Sequence, residues 1–320
     1  MRAVRVIEAG MFSTVQDLGR PGFAALGVPP GGAADTVSVR LGNRLVGNSG
    51  GAAAIEMTLT GGTFAFEQSA LVALTGARVH ANIEGVGTEA RPCRGWEAVR
   101  VRAGERLRVG AMERGARAYL CVAGGVRVAL RMGSASTLPS AGFGGLEGRP
   151  LRGDDRIEIG ESSETEERRV IGEEGSVLAR EVLERRTVRV VPGGHAALFD
   201  AASRQRFWES EFSVGVQSDR IGLRMDGPAV APPLRGRMAS EGMMWGAVQV
   251  PEDGRPIVLM CDHPTTGGYP VIATVATVDL PVLGQLRPHD AVRFEEITVE
   301  RAWALLLAQQ HRVYAGVPEP

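Results

Sequence analysis

QVPEDGRPIVLMCDHPTTGGYPVIATVATVD, Gln249–Asp279, is the stretch from which the rest of the chain is read. Two apolar runs, Pro256–Cys261 and Val271–Val278, enclose a polar turn. Short Val/Ile/Leu runs bounded by Gly and Pro read as buried strands. The turn, Asp262 to Pro270, gathers an acid, an imidazole, two hydroxyls, two glycines and a phenol. Polar groups crowded between rigid strands are where a scaffold carries its chemistry. The same Thr-Thr-Gly-Gly-Tyr-Pro also reads as a plain tight turn, because Thr, Gly and Pro are turn formers.

The pattern repeats outward from there. Arg2–Ala9, Ala53–Leu59, Thr63–Phe66, Ala70–Thr75, Val99–Val101, Arg106–Val109, Ala116–Ala123, Thr187–Val191 and Val292–Glu295 all read as strands. Forty-three glycines and 18 prolines punctuate them, which suits many short strands and not a disordered tract. Helical spacing is confined to a few places. Val37, Leu41 and Leu45 mark a helix over Thr36–Val46 with Asp35 as its N-cap. A short helix over Ser203–Ser210 would be capped by Ser203, and an amphipathic helix over Val299–Ala308 closes the pattern. The predicted class is mainly β with a few helices, in two β-barrel or sandwich-like lobes, because the strands do not alternate with helices as βαβ units would. At 320 residues two domains are expected. The charge-dense Glu161–Arg169 is the natural linker, giving an N-terminal lobe over 1–165 and a C-terminal lobe over 186–320.

Composition excludes several kinds of function. Hydrophobic residues at 44% and charged ones at 23% describe an ordinary soluble globule. A net charge of −1 offers no basic face for nucleic acid. All 36 basic residues other than His are Arg. With no Lys there is no Schiff-base lysine, no P-loop lysine and no biotinylated lysine. Cys93, Cys121 and Cys261 are odd in number and widely spaced, so buried thiols are expected, with Cys261 beside Asp262-His263 as the alternative nucleophile. The absence of a signal peptide and of an apolar run of spanning length leads us to expect a cytoplasmic protein without a membrane anchor. The five histidines include no metal-binding spacing, so no metal ligands are assigned. No GxSxG elbow, Walker A motif or dinucleotide fingerprint is present.

The remaining candidates are Arg residues set among small polar ones: Asp17 with Arg20, and Ser218-Asp219-Arg220. Such pairs read either as local ion pairs or as clamps for carboxylate or phosphate. The hydroxyl-rich loop Met132–Gly148, with Ser134, Ser136 and Thr137, reads either as an anion cradle or as a solvated connector.

TVQDLGRPGF (14–23), VPPGGAAD (28–35), GSAST (133–137), SDRIGLRMDGP (218–228), ASEGMMWGAVQVPEDGRPIVLMCD (239–262) and TTGGYPVIATV (265–275) occur in this order. Together they resemble the family of 5-oxoprolinase C subunits, also called the Kip antagonist or biotin-dependent carboxyltransferase family, similar in turn to allophanate hydrolase subunit 2. The resemblance implies a cyclophilin-like β-barrel, clearest in the second half. It implies a complex with two other components of a 5-oxoprolinase, the B subunit, which is a Kip-inhibitor homologue, and the A subunit. In that system the B and C subunits use ATP with Mg²⁺ to phosphorylate the lactam oxygen of 5-oxo-L-proline, and the A subunit opens the ring to L-glutamate. An unstrained lactam is a poor electrophile, and phosphorylation turns its oxygen into a leaving group; the step needs donors aimed at developing negative charge. On this reading Arg220, Gln249 and Asp262 are catalytic. Gln16, Arg20, Ser136, Thr137, Ser218, Thr265, Thr266, Gly267, Gly268 and Tyr269 bind substrate. ATP with Mg²⁺ is shared with the partner protein, and no covalent cofactor is carried. The rival readings are a biotin-dependent carboxyltransferase acting on a small amide such as urea, and a non-catalytic partner of a Kip-inhibitor-like protein.

Overall fold

In a computed structural model, which describes residues 2–87, 89–162, 169–233 and 238–317, the chain is mostly β and divides into two compact units. The first joins Met1–Arg20, Gly31–Leu183 and His311–Pro320; the second joins Pro21–Pro30 and Glu184–Gln310. Six residues of the expected linker, 163–168, lie outside the described residues.

The first unit opens with β1 (Arg2–Glu8), β2 (Phe12–Gln16) and α1 (Thr36–Leu45). The strands β3 (Ala54–Thr58), β4 (Thr63–Phe66), β5 (Ala70–Glu84), β6 (Arg91–Pro92) and β7 (Ala98–Val101) follow. It finishes with β8 (Arg106–Val122), β9 (Val126–Arg127), β10 (Arg156–Ile159) and α2 (Glu173–Glu184). The ten strands form one nearly closed sheet in the order β2-β3-β8-β4-β1-β10-β9, with β5 added against β6, β7 and β8. Every pairing in it is antiparallel. Its inner face buries Val6, Ile55, Phe64, Leu107 and Leu120. The outer face carries α1, whose Val37, Leu41 and Leu45 pack with Tyr119, Cys121, Leu178, Val182, Val313 and Val317. The Asp35 carboxylate accepts from Ser38 N at 2.9 Å, so the helix starts at the cap read from the sequence. The runs 106–109 and 116–123 are not separate strands but the two ends of β8. Gly110 and Gly115 punctuate that strand, and the β5–β8 register shifts three times between Gly76 and Ala81. Glycine in a strand marks a bulge or bend as readily as an end.

The second unit is a closed barrel. Its elements are β11 (Thr187–Pro192), α3 (Ala201–Glu209), β12 (Phe212–Val214), β13 (Gly222–Asp226), β14 (Glu241–Gly242) and β15 (Ala247–Gln249). They continue through β16 (Ile257–Leu259), β17 (Thr266–Gly267), β18 (Val271–Val275), α4 (Leu280–Gln285), β19 (Ala291–Glu296) and α5 (Val299–Ala315). The staves run β11-β18-β15-β16-β13-β12-β19, and a parallel β19–β11 pairing closes the ring. α3 packs its buried Phe207 against Phe212 and Phe294, with centroids 5.9 and 4.8 Å away. Its cap is Asp200, which accepts from Ser203 N at 2.7 Å. The cap expected at Ser203 is thus corrected, because an Asp three residues upstream reaches the same orphan amide. No helix among the described residues is long and apolar enough to cross a membrane.

The two apolar runs of the 249–279 stretch are β16 and β18, and they do not pair with each other. Both pair with β15, through Val248↔Val258 and Ala247↔Thr274. Residues 260–270 therefore form a crossover spanning β15, and a short β14–β17 ladder lies on its path. This crossover carries Asp262 and the five candidates from Thr265 to Tyr269.

Candidate functional site

Four predicted binding residues, Gln16, Arg20, Ser136 and Thr137, come together in the first unit, where β2 ends against the 131–138 loop. The organiser of this knot is Asp17. Its Oδ1 accepts from Gly19 N at 2.7 Å and from the hydroxyls of Ser134 and Ser136 at 2.6 Å, and its Oδ2 accepts from Ala135 N at 2.6 Å. Thr137 Oγ1 donates to Val15 O at 3.0 Å, and Gln16 Nε2 donates to Thr14 Oγ1 and Thr137 O. Arg20 is 1% exposed, donates to Arg131 O and Ser136 O, and lies over the Phe143 ring at 5.0 Å. Gly144 and Gly145 have φ of +75° and +54°, and a Cβ on either would lie within 2.0 Å of Ser136 O or Thr137 Oγ1. Of the loop read as anion cradle or solvated connector, the hydroxyls of Ser134, Ser136 and Thr137 are buried and bonded to β2 and Asp17, whereas Ser140 is exposed. Of the two readings of Asp17 with Arg20, the local ion pair is not what forms: Asp17 is engaged by Gly19, Ser134, Ala135 and Ser136.

The second unit holds the other candidates. Arg220 and Asp262 are 6% and 7% exposed and form a two-point pair, Nε to Oδ2 at 2.8 Å and Nη2 to Oδ1 at 2.9 Å. This fork geometry ties the start of β13 to the crossover. Asp219, the neighbour expected to pair with Arg220, instead accepts from Ile221 N and Gly222 N. Ser218 Oγ accepts from Arg224 N at 3.0 Å and closes the same turn. Beside Asp262, His263 is 2% exposed and its Nδ1 lies 2.8 Å from Pro264 O. A ring nitrogen facing a carbonyl donates, which leaves Nε2 as the acceptor. Burial pushes the His263 pKa below the ordinary imidazole value, against the opposing pull of Pro264 O and Asp262.

Gln249 sits at the opposite end of the β15–β16 pair from Asp262. It faces Ile257, the first residue of β16, whereas Asp262 lies three residues past the last, Leu259. The three residues expected to act together therefore split into Arg220–Asp262 and a separate Gln249. Gly267, in the Thr265–Tyr269 part of the crossover, approaches Gln249. Thr265 O accepts from Met243 N and Gly268 O from Met238 N, both at 2.9 Å, and Gly267 pairs with Glu241. Tyr269 is half-buried, and Pro270 O beyond it accepts from Val250 N.

Two further residues join this end of the barrel that sequence spacing does not single out. His195 Nδ1 accepts from Val271 N at 3.0 Å, so its proton sits on Nε2, which lies 3.4 Å from Glu241 Oε2. They lie 46 positions apart; the β14–β17 ladder places Glu241, and bonds to Val271 place His195.

Among the described residues no group of three His, Cys, Asp or Glu stands close enough to hold a metal ion. All three thiols are buried. Desolvation pushes Cys93 up to about 11 and Cys121 higher still, which suits inert core residues.

The chain as a whole has counterparts among known proteins. Residues 26–296 match the family described as "Carboxyltransferase domain, subdomain A and B". The chain is 39% identical to the C subunit of the Escherichia coli 5-oxoprolinase, over 93% of each chain. It is 32% identical to the C subunit of the Haemophilus influenzae 5-oxoprolinase, again over 93% of each. The solved structure of the Kluyveromyces lactis urea amidolyase matches 97% of this chain with a TM-score of 0.88 at 28% identity, and the match spans 20% of that much longer protein. With a family match over most of its length and relatives above 30% identity across nearly all of theirs, this chain belongs to the carboxyltransferase domain family that includes the 5-oxoprolinase C subunits.

Proposed function

We propose that this chain is the C subunit of an ATP-dependent 5-oxoprolinase, acting with a B subunit on the lactam of 5-oxo-L-proline, while an A subunit finishes the hydrolysis to L-glutamate. The near end-to-end likeness to the E. coli protein carries the reading. Within it, the chain's part is to bind and orient the lactam for the attack of its oxygen on phosphorus. The end of the barrel around Gln249, His195, Glu241 and Thr265–Tyr269 has the groups for that.

The arginines named as phosphate clamps do not fit a triphosphate. Arg20 is held by two backbone carbonyls and Arg220 by Asp262. With no Lys in the chain, the nucleotide and its Mg²⁺ are placed with the B subunit. Arg220 and Asp262 accordingly move from a catalytic to a positioning role, holding the crossover that bears the binding turn.

One observation favours a second reading: the likeness to the urea amidolyase, with the family's own description, fits a carboxyltransferase acting on urea. Its biotin would have to arrive on another chain or domain, as no Lys is present here to carry it.

The test is a reconstitution of the chain with its A and B subunits, following glutamate release from 5-oxoproline and ATP. Turnover that requires this chain is the expected result. No turnover of 5-oxoproline, but consumption of urea with a carboxybiotinyl carrier, would replace the first reading by the second.

A further inference from the structure

We infer that Gln249 reads the cis-amide edge of the substrate, its Nε2 donating to the substrate carbonyl oxygen and its Oε1 accepting from the substrate N–H. This rests on the reading of the chain as a lactam- or urea-handling protein, and it deepens that reading by assigning recognition to one side chain.

The first observation is an amide poorly satisfied for its depth. Gln249 is 6% exposed. Among the described residues its only side-chain hydrogen bond runs from Nε2 to Met243 Sδ at 3.3 Å. A thioether is a weak acceptor, so this amide makes little use of its hydrogen-bonding capacity within the protein. Arg220 and Asp17, by contrast, have their capacity spent on protein partners.

The second observation is the wall around it. Ala247, Leu259 and Val271 form a small buried cluster, with Met243 and Ile257 packed against it. In so apolar a setting a two-point hydrogen bond counts for more than in water. The third is the crossover's closeness. A Cβ on Gly267 would fall 2.4 Å from Gln249 Nε2 and 2.9 Å from Met243 Cγ. Glycine at 267 thus lets the carboxamide keep its place, and the neighbouring His195 and Glu241 give this end of the barrel a polar rim.

The geometry selects a class of ligand. A primary carboxamide presents one donor and one acceptor side by side. Its complement is an amide whose N–H and C=O lie on the same edge. A five-membered lactam is locked in that arrangement, and urea presents it as well. A trans peptide bond turns the two groups to opposite sides. A site built around a substrate N–H also rejects the analogue that lacks it.

Binding to the complex of this chain with its B subunit tests this by calorimetry. The probes are 5-oxoproline, urea and the lactone analogue in which ring oxygen replaces the N–H. Wild type is expected to prefer 5-oxoproline or urea to the lactone. Gln249→Met, which keeps the volume and removes the amide, is expected to weaken the preferred ligand by about 10- to 100-fold and to level its advantage over the lactone. In turnover the loss should fall on KM more than on kcat. A folded Gln249→Met protein that binds the preferred ligand unchanged overturns the inference, as does a wild type that binds neither cis-amide. Urea bound through Gln249, with 5-oxoproline ignored, would defeat the lactam reading and leave the recognition by Gln249 standing.

Discussion

Arg220 and Asp262 show how a residue-scale contact decides what a mutation reports. Truncating one partner of a buried, two-point ion pair strands the other charge without water. Arg220→Ala should therefore cost about 3–5 kcal/mol of stability. Urea unfolding of the isolated chain would read this directly, and a loss below about 1 kcal/mol would mean that solvent reaches Asp262. Activity lost in this variant would reflect a displaced crossover as much as missing chemistry, so Gln249 is the sharper probe of the site. His263 carries a pH dependence. Its folded pKa lies below the ordinary value of 6.5 because burial disfavours the imidazolium. The stability it contributes is present above about pH 6.5 and is lost as pH falls from there through the lowered folded value. His263→Asn, whose amide N–H can replace the donor to Pro264 O, should flatten the decline between about pH 7 and 5. An unchanged decline would place the titration elsewhere. The sequence made Arg220 and Asp262 visible as individuals but not as a pair, because they lie 42 positions apart and the adjacent Asp219 was the nearer candidate.

At the scale of elements, the β14–β17 ladder and the crossover that bears it hold the binding turn against β15. Gly267→Ala tests that arrangement without removing a polar group. The nearest atoms to the added methyl belong to two flexible side chains, Gln249 Nε2 at 2.4 Å and Met243 Cγ at 2.9 Å. Thermal stability should stay within about 1 kcal/mol of wild type, while ligand affinity falls as it does in Gln249→Met. A Gly267→Ala protein with full affinity would show that the carboxamide has room to spare. Element identity was legible where local chemistry is self-sufficient. Asp35 with Val37, Leu41 and Leu45 announced α1, and β4 runs from Thr63 to Phe66 as read between its polar and Gly-Gly turns. Legibility failed where tertiary pairing overrides a local signal. Gly110 and Gly115 read as strand ends, yet β8 runs on through both because β5 pairs along most of its length. His195 and Glu241 went unnoticed for the same reason, since no local pattern encodes a strand register.

At the scale of the molecule, the two-lobed, mainly β character was legible from punctuation and strand spacing alone. What spacing does not encode is which segments return to which core. Val313 and Val317, each 2% exposed, complete the packing of α1 and α2 in the first unit, and Arg312 bridges to Glu181 at 2.9 Å. Removing everything after Gln310 should cost the first unit about 3–6 kcal/mol, from two buried valines at about 1.5–3 each. Separate unfolding transitions for the two units, read by calorimetry, would show the loss confined to the first. This placement also sets an order of events in the cell. A chain emerging from the ribosome presents Thr187–Glu296, the whole barrel, before the valines that finish the earlier unit have been synthesised. The part begun first is completed last, so its sheet must wait, partly uncovered, for the final turns of α5 to be released.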